Sequence, residues 1–236
     1  MKINLLDVKV DKITSREVLN RIEEYLQSQN QYYIVTPNPE FLMEAQRDEE
    51  FKKILNYADL AIPDGVGLLW AARFLNLPSG SRLKSIWQVI YSGASLVLYP
   101  KYCQSVFPER VTGTDLIYAL ANRLQKTDYS IFLLGAKGQV AKMASQKLKQ
   151  KFPDLKIAGA FGGVGEEKGD RITTAIINQA KPDLLLVAYG APKQEKWIFV
   201  AINLPSEIKK KFLSFQQKWP DLPVRWTKEE NLHITL

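Results

Sequence analysis

Short apolar runs that stop abruptly at a glycine or proline recur along this chain, and they dictate its class. Ile34-Val35 breaks into Thr36-Pro37-Asn38-Pro39, and Ala61-Ile62 breaks into Pro63-Asp64-Gly65-Val66-Gly67. Leu184-Leu185-Leu186-Val187-Ala188 is apolar at every position and ends in Tyr189-Gly190-Ala191-Pro192. Runs like these are strands covered on both faces, and their polar ends are loops. Between them lie segments such as Val18, Leu19, Ile22 and Leu26, spaced as one face of a helix. The class is therefore α/β: a Rossmann-like, mostly parallel sheet with helices on both faces. If the first two strands are parallel neighbours, Thr36, Asn38 and Asp64 meet at one sheet edge, where open sheets of this kind bind ligands. Gly65 and Gly67 then leave room for a ligand to approach the backbone.

Taken in order, Ile3 to Val10 reads as an edge strand, and Thr14 or Ser15 caps the helix after it. Pro39 to Arg47 starts a helix that continues over Glu50 to Tyr57, and Gly65 to Leu75 is helical again. Thr114 or Asp115 caps the helix after Glu109-Arg110-Val111. From Tyr129 the pattern is strand (130–134), helix (139–151), strand (155–160), helix (171–180) and strand (184–188). Residues 76–106 stand apart as an insertion-like apolar segment, too short and polar for a membrane span. Two readings are open for it. Trp87, Tyr91, Tyr99 and Tyr102 suit a membrane interface, with Arg82, Lys84 and Lys101 toward anionic lipid. Alternatively it is a packed helical hairpin over the site.

With 236 residues, the chain suffices for one large α/β domain or two small ones. Its formal charge of +7 suits nucleic acid, an anionic membrane or a phosphorylated substrate without choosing among them, and a solvated lysine-rich surface explains it equally. Cys103 is the single cysteine, so no intrachain disulfide forms and a reducing compartment is expected. No charged-then-apolar leader is expected at the start. His233 is the single histidine, which argues against a histidine-rich metal site or a Ser-His-Asp triad.

Four places carry candidate chemistry. Leu134-Gly135-Ala136-Lys137-Gly138, between strand and helix, resembles a phosphate-binding loop, although a plain strand-to-helix turn explains it equally. In Gly190-Ala191-Pro192-Lys193-Gln194-Glu195, Gln194 and Glu195 offer hydrogen-bonding groups at a sheet edge, or else cap the helix that begins near Lys196. Asp64, a carboxylate beside an apolar strand end, is the candidate base, with helix capping as its alternative role. Arg110 has the fork that suits phosphate oxygens, or is a surface arginine. No Asp-x-Asp pair calls for a metal, so neither metal nor cofactor is expected.

Residues 1 to about 198 resemble the TagA/WecG/CpsF family of bacterial glycosyltransferases. The matching stretches are 36–40, 63–67, 109–115, Leu134-Gly135, Lys181-Pro182-Asp183 and 190–197. The resemblance implies transfer of N-acetylmannosamine from its UDP donor to undecaprenyl-diphosphate-linked N-acetylglucosamine, with inversion and without an obligatory metal. The product would serve teichoic acid or a related surface polymer. Carried over by position, Asp64 deprotonates the acceptor hydroxyl, and Thr36 and Asn38 line the same pocket. Arg110 meets the diphosphate, Gln194 and Glu195 contact the donor, and Gly135 lies in the donor loop. The expected partners are a UDP-sugar, a polyprenyl-diphosphate acceptor and the membrane surface, with no nucleic acid and with room for a homo-oligomer. The expected location is peripheral, at the cytoplasmic face of the cell membrane.

The C-terminal part departs from this pattern. Residues 199–236, ending in His233-Ile234-Thr235-Leu236, resemble the first strand-helix-strand of two-histidine phosphoesterases. That chemistry needs two such motifs, so no phosphodiesterase activity is expected. The expected organisation is a glycosyltransferase domain over 1–198, lacking the family's C-terminal appendage, and a foreign fragment over 199–236. A second reading follows: an incomplete, inactive chain that only binds nucleotide sugar or partners.

Overall fold

The computed structural model describes residues 1–28, 30–78, 80–163 and 167–201. It opens with an antiparallel hairpin, β1 (Lys2–Leu5) and β2 (Val8–Asp11), in place of the single strand expected over Ile3 to Val10. Leu6 and Asp7 both take positive φ, 51° and 64°, as in the two-residue turns whose twist matches the strands they join. Thr14 then starts α1 (Ser15–Gln27) with a capping box: its hydroxyl accepts from the Glu17 N–H, and the Glu17 carboxylate accepts from the Thr14 N–H.

β3 (Ile34–Val35), α2 (Pro39–Ala45), α3 (Glu49–Tyr57) and β4 (Leu60–Ala61) follow. α2 and α3 are separate helices, because Asp48 breaks the run and caps α3 through the Phe51 N–H. β3 and β4 are parallel neighbours, Ile34 opposite Leu60 and Val35 opposite Ala61. Their side chains alternate between two cores. Val35 and Ala61 join Phe51, Leu55 and Leu68, while Ile34, Leu60 and Ile62 join Val18 and Ile22 of α1.

The chain next leaves the sheet through α4 (Val66–Leu75), α5 (Arg82–Leu98) and a 3-10 turn at Pro100–Ser105. It returns beside its point of departure, where Asp64 and Val111 form a parallel bridge. α6 (Gly113–Leu124) begins there. Its cap is Thr112, whose hydroxyl accepts the Asp115 N–H, and not Thr114 or Asp115 as expected. The bridge at Val111 holds the chain extended to Thr112, so the helix turns one residue later, at Gly113.

The second half is β5 (Ser130–Gly135), α7 (Val140–Lys151), β6 (Lys156–Phe161), α8 (Glu167–Ala180), β7 (Leu184–Ala188) and α9 (Lys193–Ala201). Its strands are parallel in the order β6-β5-β7. Ile131 and Leu133 pack with Leu124, Leu148 and Leu155; Phe132 and Leu134 pack on the opposite face with Ile176, Ile177 and Trp197. Helices thus cover both faces, as the apolar run at 184–188 requires. The boundary expected at residue 198 falls inside α9. Residues 202–236, with the His233 motif, lie outside the described residues.

Candidate active site

The ends of β3 and β4 extend their pairing beyond the strands themselves. Ile62 N–H donates to the Val35 carbonyl (2.8 Å), and Asp64 N–H donates to the Pro37 carbonyl (2.9 Å). With the Asp64–Val111 bridge, three segments run side by side: 35–38, 62–64 and 110–113. Thr36, Asn38 and Asp64 therefore lie at one edge, as parallel pairing of β3 and β4 expects, and the bridge at Val111 adds Arg110 beside them. Glu109 fixes the third segment from below, its carboxylate accepting from the Ser15 N–H (2.9 Å) and hydroxyl (2.8 Å) at the start of α1.

Asp64 is half-buried, and burial pushes its carboxyl above the ordinary aspartate range. The Gly113 N–H, donated to that carboxylate, and the charge of Arg110 act in the opposite sense without cancelling it. A carboxylate held somewhat basic is what proton abstraction needs. Its capping alternative does not hold: Gly65 is the residue before α4, at φ +82°, and α4 receives no side-chain cap. A Cβ on Gly65 would meet nothing within 4 Å, so the space above Asp64 is open on that side. Gly67 is different. A Cβ there would come within 2.9 Å of Pro39 Cγ, so this glycine lets α4 pack on α2 and does not make room for a ligand.

Asn38 caps α2, its Oδ1 accepting from the Phe41 N–H at 3.0 Å. That bond alone is worth about 1 kcal/mol, enough to explain an asparagine here. Its amide NH₂ is a separate donor that the cap leaves over. Thr36 is half-buried in the same loop, and Arg110 is exposed.

The second group lies at the ends of β5 and β7. Gly135 is buried opposite Ala188, and Ala136 N–H donates to the Ala188 carbonyl (2.8 Å). A Cβ on Gly135 would lie 2.6 Å from the Ala188 carbonyl carbon and oxygen, so strand contact is sufficient reason for this glycine. Gln194 closes the loop after β7: its Oε1 accepts the Gly190 N–H (3.1 Å), and its Nε2 donates to Glu195 Oε1 (2.6 Å). α9 begins at Lys193, so both residues lie within its first turn instead of preceding it.

Glu195 is 2% exposed, which its charge does not announce in the sequence. Its Oε2 has no hydrogen-bond partner among the described residues. Burial raises its carboxyl above the ordinary range, against the pull of the Gln194 hydrogen bond. The buried Tyr33 hydroxyl is raised in turn, by its own burial first and by the Glu195 charge second. Tyr33 stands just before β3, so the Glu195 charge is felt at the start of the strand that leads to the first group. Next to it, Lys196 reaches Asp48 (2.8 Å) and Glu50 (2.9 Å), holding α9 to the start of α3. Among the described residues no cluster of His, Cys, Asp or Glu is placed to hold a metal ion.

Glu195→Gln is expected to raise stability near neutral pH by on the order of 1 kcal/mol, because it removes a charge that burial disfavours while keeping the shape of the side chain. A carboxyl raised in the folded state contributes stability below its unfolded pKa, and loses that contribution as pH rises through the folded one. The gain from Gln should therefore shrink in mild acid. Urea midpoints for parent and variant at both pH values check this, and equal midpoints at neutral pH would refute it.

Glu109 and Gly113 stand in the stretch 109–115 that the sequence singles out, though without the roles seen here, and nothing in the sequence marks Tyr33. Thr112-Gly113-Thr114-Asp115 does carry a capping signature, and the right register would have led to the Gly113 N–H.

A family model described as the glycosyl transferase WecG/TagA/CpsF family matches residues 3–88 and 80–205. The chain is also similar to the N-acetylglucosaminyldiphosphoundecaprenol N-acetyl-beta-D-mannosaminyltransferases of Staphylococcus aureus strains NCTC 8325 / PS 47 and COL. Each is 26% identical over 204 residues, covering 86% of this chain and 68% of the relative.

Proposed function

This chain belongs to the WecG/TagA/CpsF family of glycosyl transferases, and from that premise we propose that it transfers N-acetylmannosamine from UDP-N-acetylmannosamine to N-acetylglucosaminyl-diphospho-undecaprenol. The product would be a linkage unit for teichoic acid or a related surface polymer. The observation that carries the reading is the half-buried Asp64 carboxylate, raised by burial and spared from capping, where three loops meet.

In this reading Asp64 takes the proton from the acceptor hydroxyl. The freed oxygen forms its bond to the anomeric carbon while the bond to the UDP β-phosphate oxygen breaks on the opposite face, giving inversion. Thr36 and the Asn38 amide orient the sugar. Arg110 meets the charge that develops on the departing diphosphate, a contribution that grows in the transition state. The Gly135 loop and the turn at Gln194 lie at the carboxyl ends of parallel strands, where nucleotides bind in open sheets. Glu195, buried and engaged with Gln194, positions that turn. The lipid acceptor places the work at a membrane surface, on the cytoplasmic face where UDP-sugars are made. Among the described residues no helix is long and apolar enough to cross a membrane.

Incubating the full chain with UDP-N-acetylmannosamine and a diphospholipid-linked N-acetylglucosamine tests this. UDP and a lipid-linked disaccharide are expected in equal amounts. Calorimetric binding of the donor with neither product would favour a chain that binds without turning over.

A further inference from the structure

α5 is amphipathic in the inverted sense. Gln88 and Ser92 are its buried side chains, while Leu83, Ile86, Trp87, Ile90, Val97 and Leu98 are each more than half exposed. Leu83, Ile86, Trp87, Ile90 and Val97 recur three, four or seven apart, Leu98 stands eight beyond Ile90, and all six fall on one stripe along the helix. The inward polar side is fully engaged. Gln88 Nε2 donates to the Pro78 carbonyl (3.0 Å), Trp70 Nε1 donates to Ser92 Oγ (3.0 Å), and Ser95 Oγ meets the buried Cys103 Sγ (3.3 Å). These bonds fix which face points inward, so the outward apolar stripe follows from the packing. α5 packs against α4 and the 3-10 turn, as the hairpin reading expects, yet Trp87 on its outer side stays 67% exposed.

The charges around the stripe have one sign. From Gly65 to Pro108 the sequence holds no aspartate or glutamate, and its cations are Arg73, Arg82, Lys84 and Lys101. Arg82 and Lys84 stand at the first turn of α5, Lys101 just past its end, and Trp87, Tyr91 and Tyr99 are exposed between them. Exposed aliphatic groups, aromatic rings and flanking cations without acids suit the boundary of an anionic bilayer. They do not suit a second copy joined face to face across this stripe, which would set the same cations against each other.

We propose that α5 lies in the surface of an anionic membrane, apolar stripe inward, and docks the protein there. The excursion that carries α5 leaves the sheet after Asp64 and returns at Val111, so docking would tether the sheet edge that holds the candidate base to the membrane. The link to catalysis rests on the lipid-linked acceptor proposed above, but the docking face does not.

The test is co-sedimentation of the full chain with vesicles of phosphatidylglycerol and phosphatidylcholine, against phosphatidylcholine alone. The parent should bind the anionic vesicles and release them in high salt. Trp87→Ser/Ile90→Ser should lose about tenfold or more in binding. Arg82→Gln/Lys84→Gln/Lys101→Gln should lose about a hundredfold, at roughly fivefold per cation near an anionic surface. Both variants change exposed side chains, and both should transfer sugar to a water-soluble short-chain acceptor at the parent rate. Undiminished vesicle binding by the Trp87/Ile90 variant would overturn the proposal. So would equal parent binding to neutral vesicles, or a parent dimer that this variant splits. If the parent transfers nothing to the soluble acceptor, the transferase reading falls, and the vesicle results alone still decide the docking face.

Discussion

Asp64→Asn is expected to lower sugar transfer by about 10²–10⁴-fold, the range lost with a positioned general base, while the protein stays folded. Asparagine keeps the volume of the side chain, and its amide oxygen still accepts the Gly113 N–H that the carboxylate holds. What disappears is the ability to take a proton. Substrate affinity should change little, so the loss should fall on kcat with KM near the parent value. Misfolding is not a competing explanation, because the carboxyl is raised by burial. A group raised in the folded state adds stability below its unfolded pKa and loses it as pH rises through the folded one, so a neutral amide there is no worse at neutral pH. The parent's rate should also fall in acid. Its limb should lie above the ordinary aspartate value of about 3.9, because the base works only when deprotonated. Steady-state kinetics over a pH series check both parts. Transfer by the variant at the parent rate would remove Asp64 from the chemistry.

The neighbourhood of Asp64 was legible because it follows from short-range rules. Val35 and Ala61 are small apolar residues before Pro-bearing loops, and parallel pairing then carries Thr36, Asn38 and Asp64 to one edge. The alternation of Ile131 to Leu134 between two cores is equally a consequence of strand geometry. What stayed hidden depends on contacts distant in sequence. Thr112, Thr114 and Asp115 are all competent caps, and only the bridge from Val111 to Asp64 selects the first. Leu6-Asp7 carries no glycine or asparagine to mark a turn, so the hairpin read as one strand. Glu195 looks like a solvent-facing charge, and its burial is fixed by α9 lying against α3 and Tyr33. In α5 the composition was visible but not the direction of the stripe, which the partners of Gln88, Ser92 and Ser95 decide.

Gly135→Ala is expected to destabilise the fold by about 3 kcal/mol or more, the sum of left-handed backbone strain and an overpacked strand contact. Gly135 sits at φ +106°, outside the region an alanine readily adopts. The added methyl would also lie 2.6 Å from the carbonyl carbon and oxygen of Ala188 and 3.0 Å from its nitrogen. These are backbone atoms of the adjacent strand, and they cannot yield as a side-chain end would. Ala188 is held in place by the parallel register of β5 with β7, from Ile131–Leu184 to Gly135–Ala188, and by the Ala136 N–H on its carbonyl. Relief therefore means opening the sheet at the edge where the donor loop starts. Gly138, three residues on in the same loop, provides the contrast. It too has positive φ, 59°, but a Cβ there would meet nothing within 4 Å. Gly138→Ala should cost only the local strain, about 1 kcal/mol. Were Gly135 kept solely to let a nucleotide approach, its alanine variant would unfold at the parent's urea midpoint and fail only in donor binding. A strand-packing role makes the order of midpoints parent, then Gly138→Ala, then Gly135→Ala, and donor binding falls only as far as the loop is displaced. Urea unfolding of the three proteins, paired with calorimetry against UDP, separates the two roles.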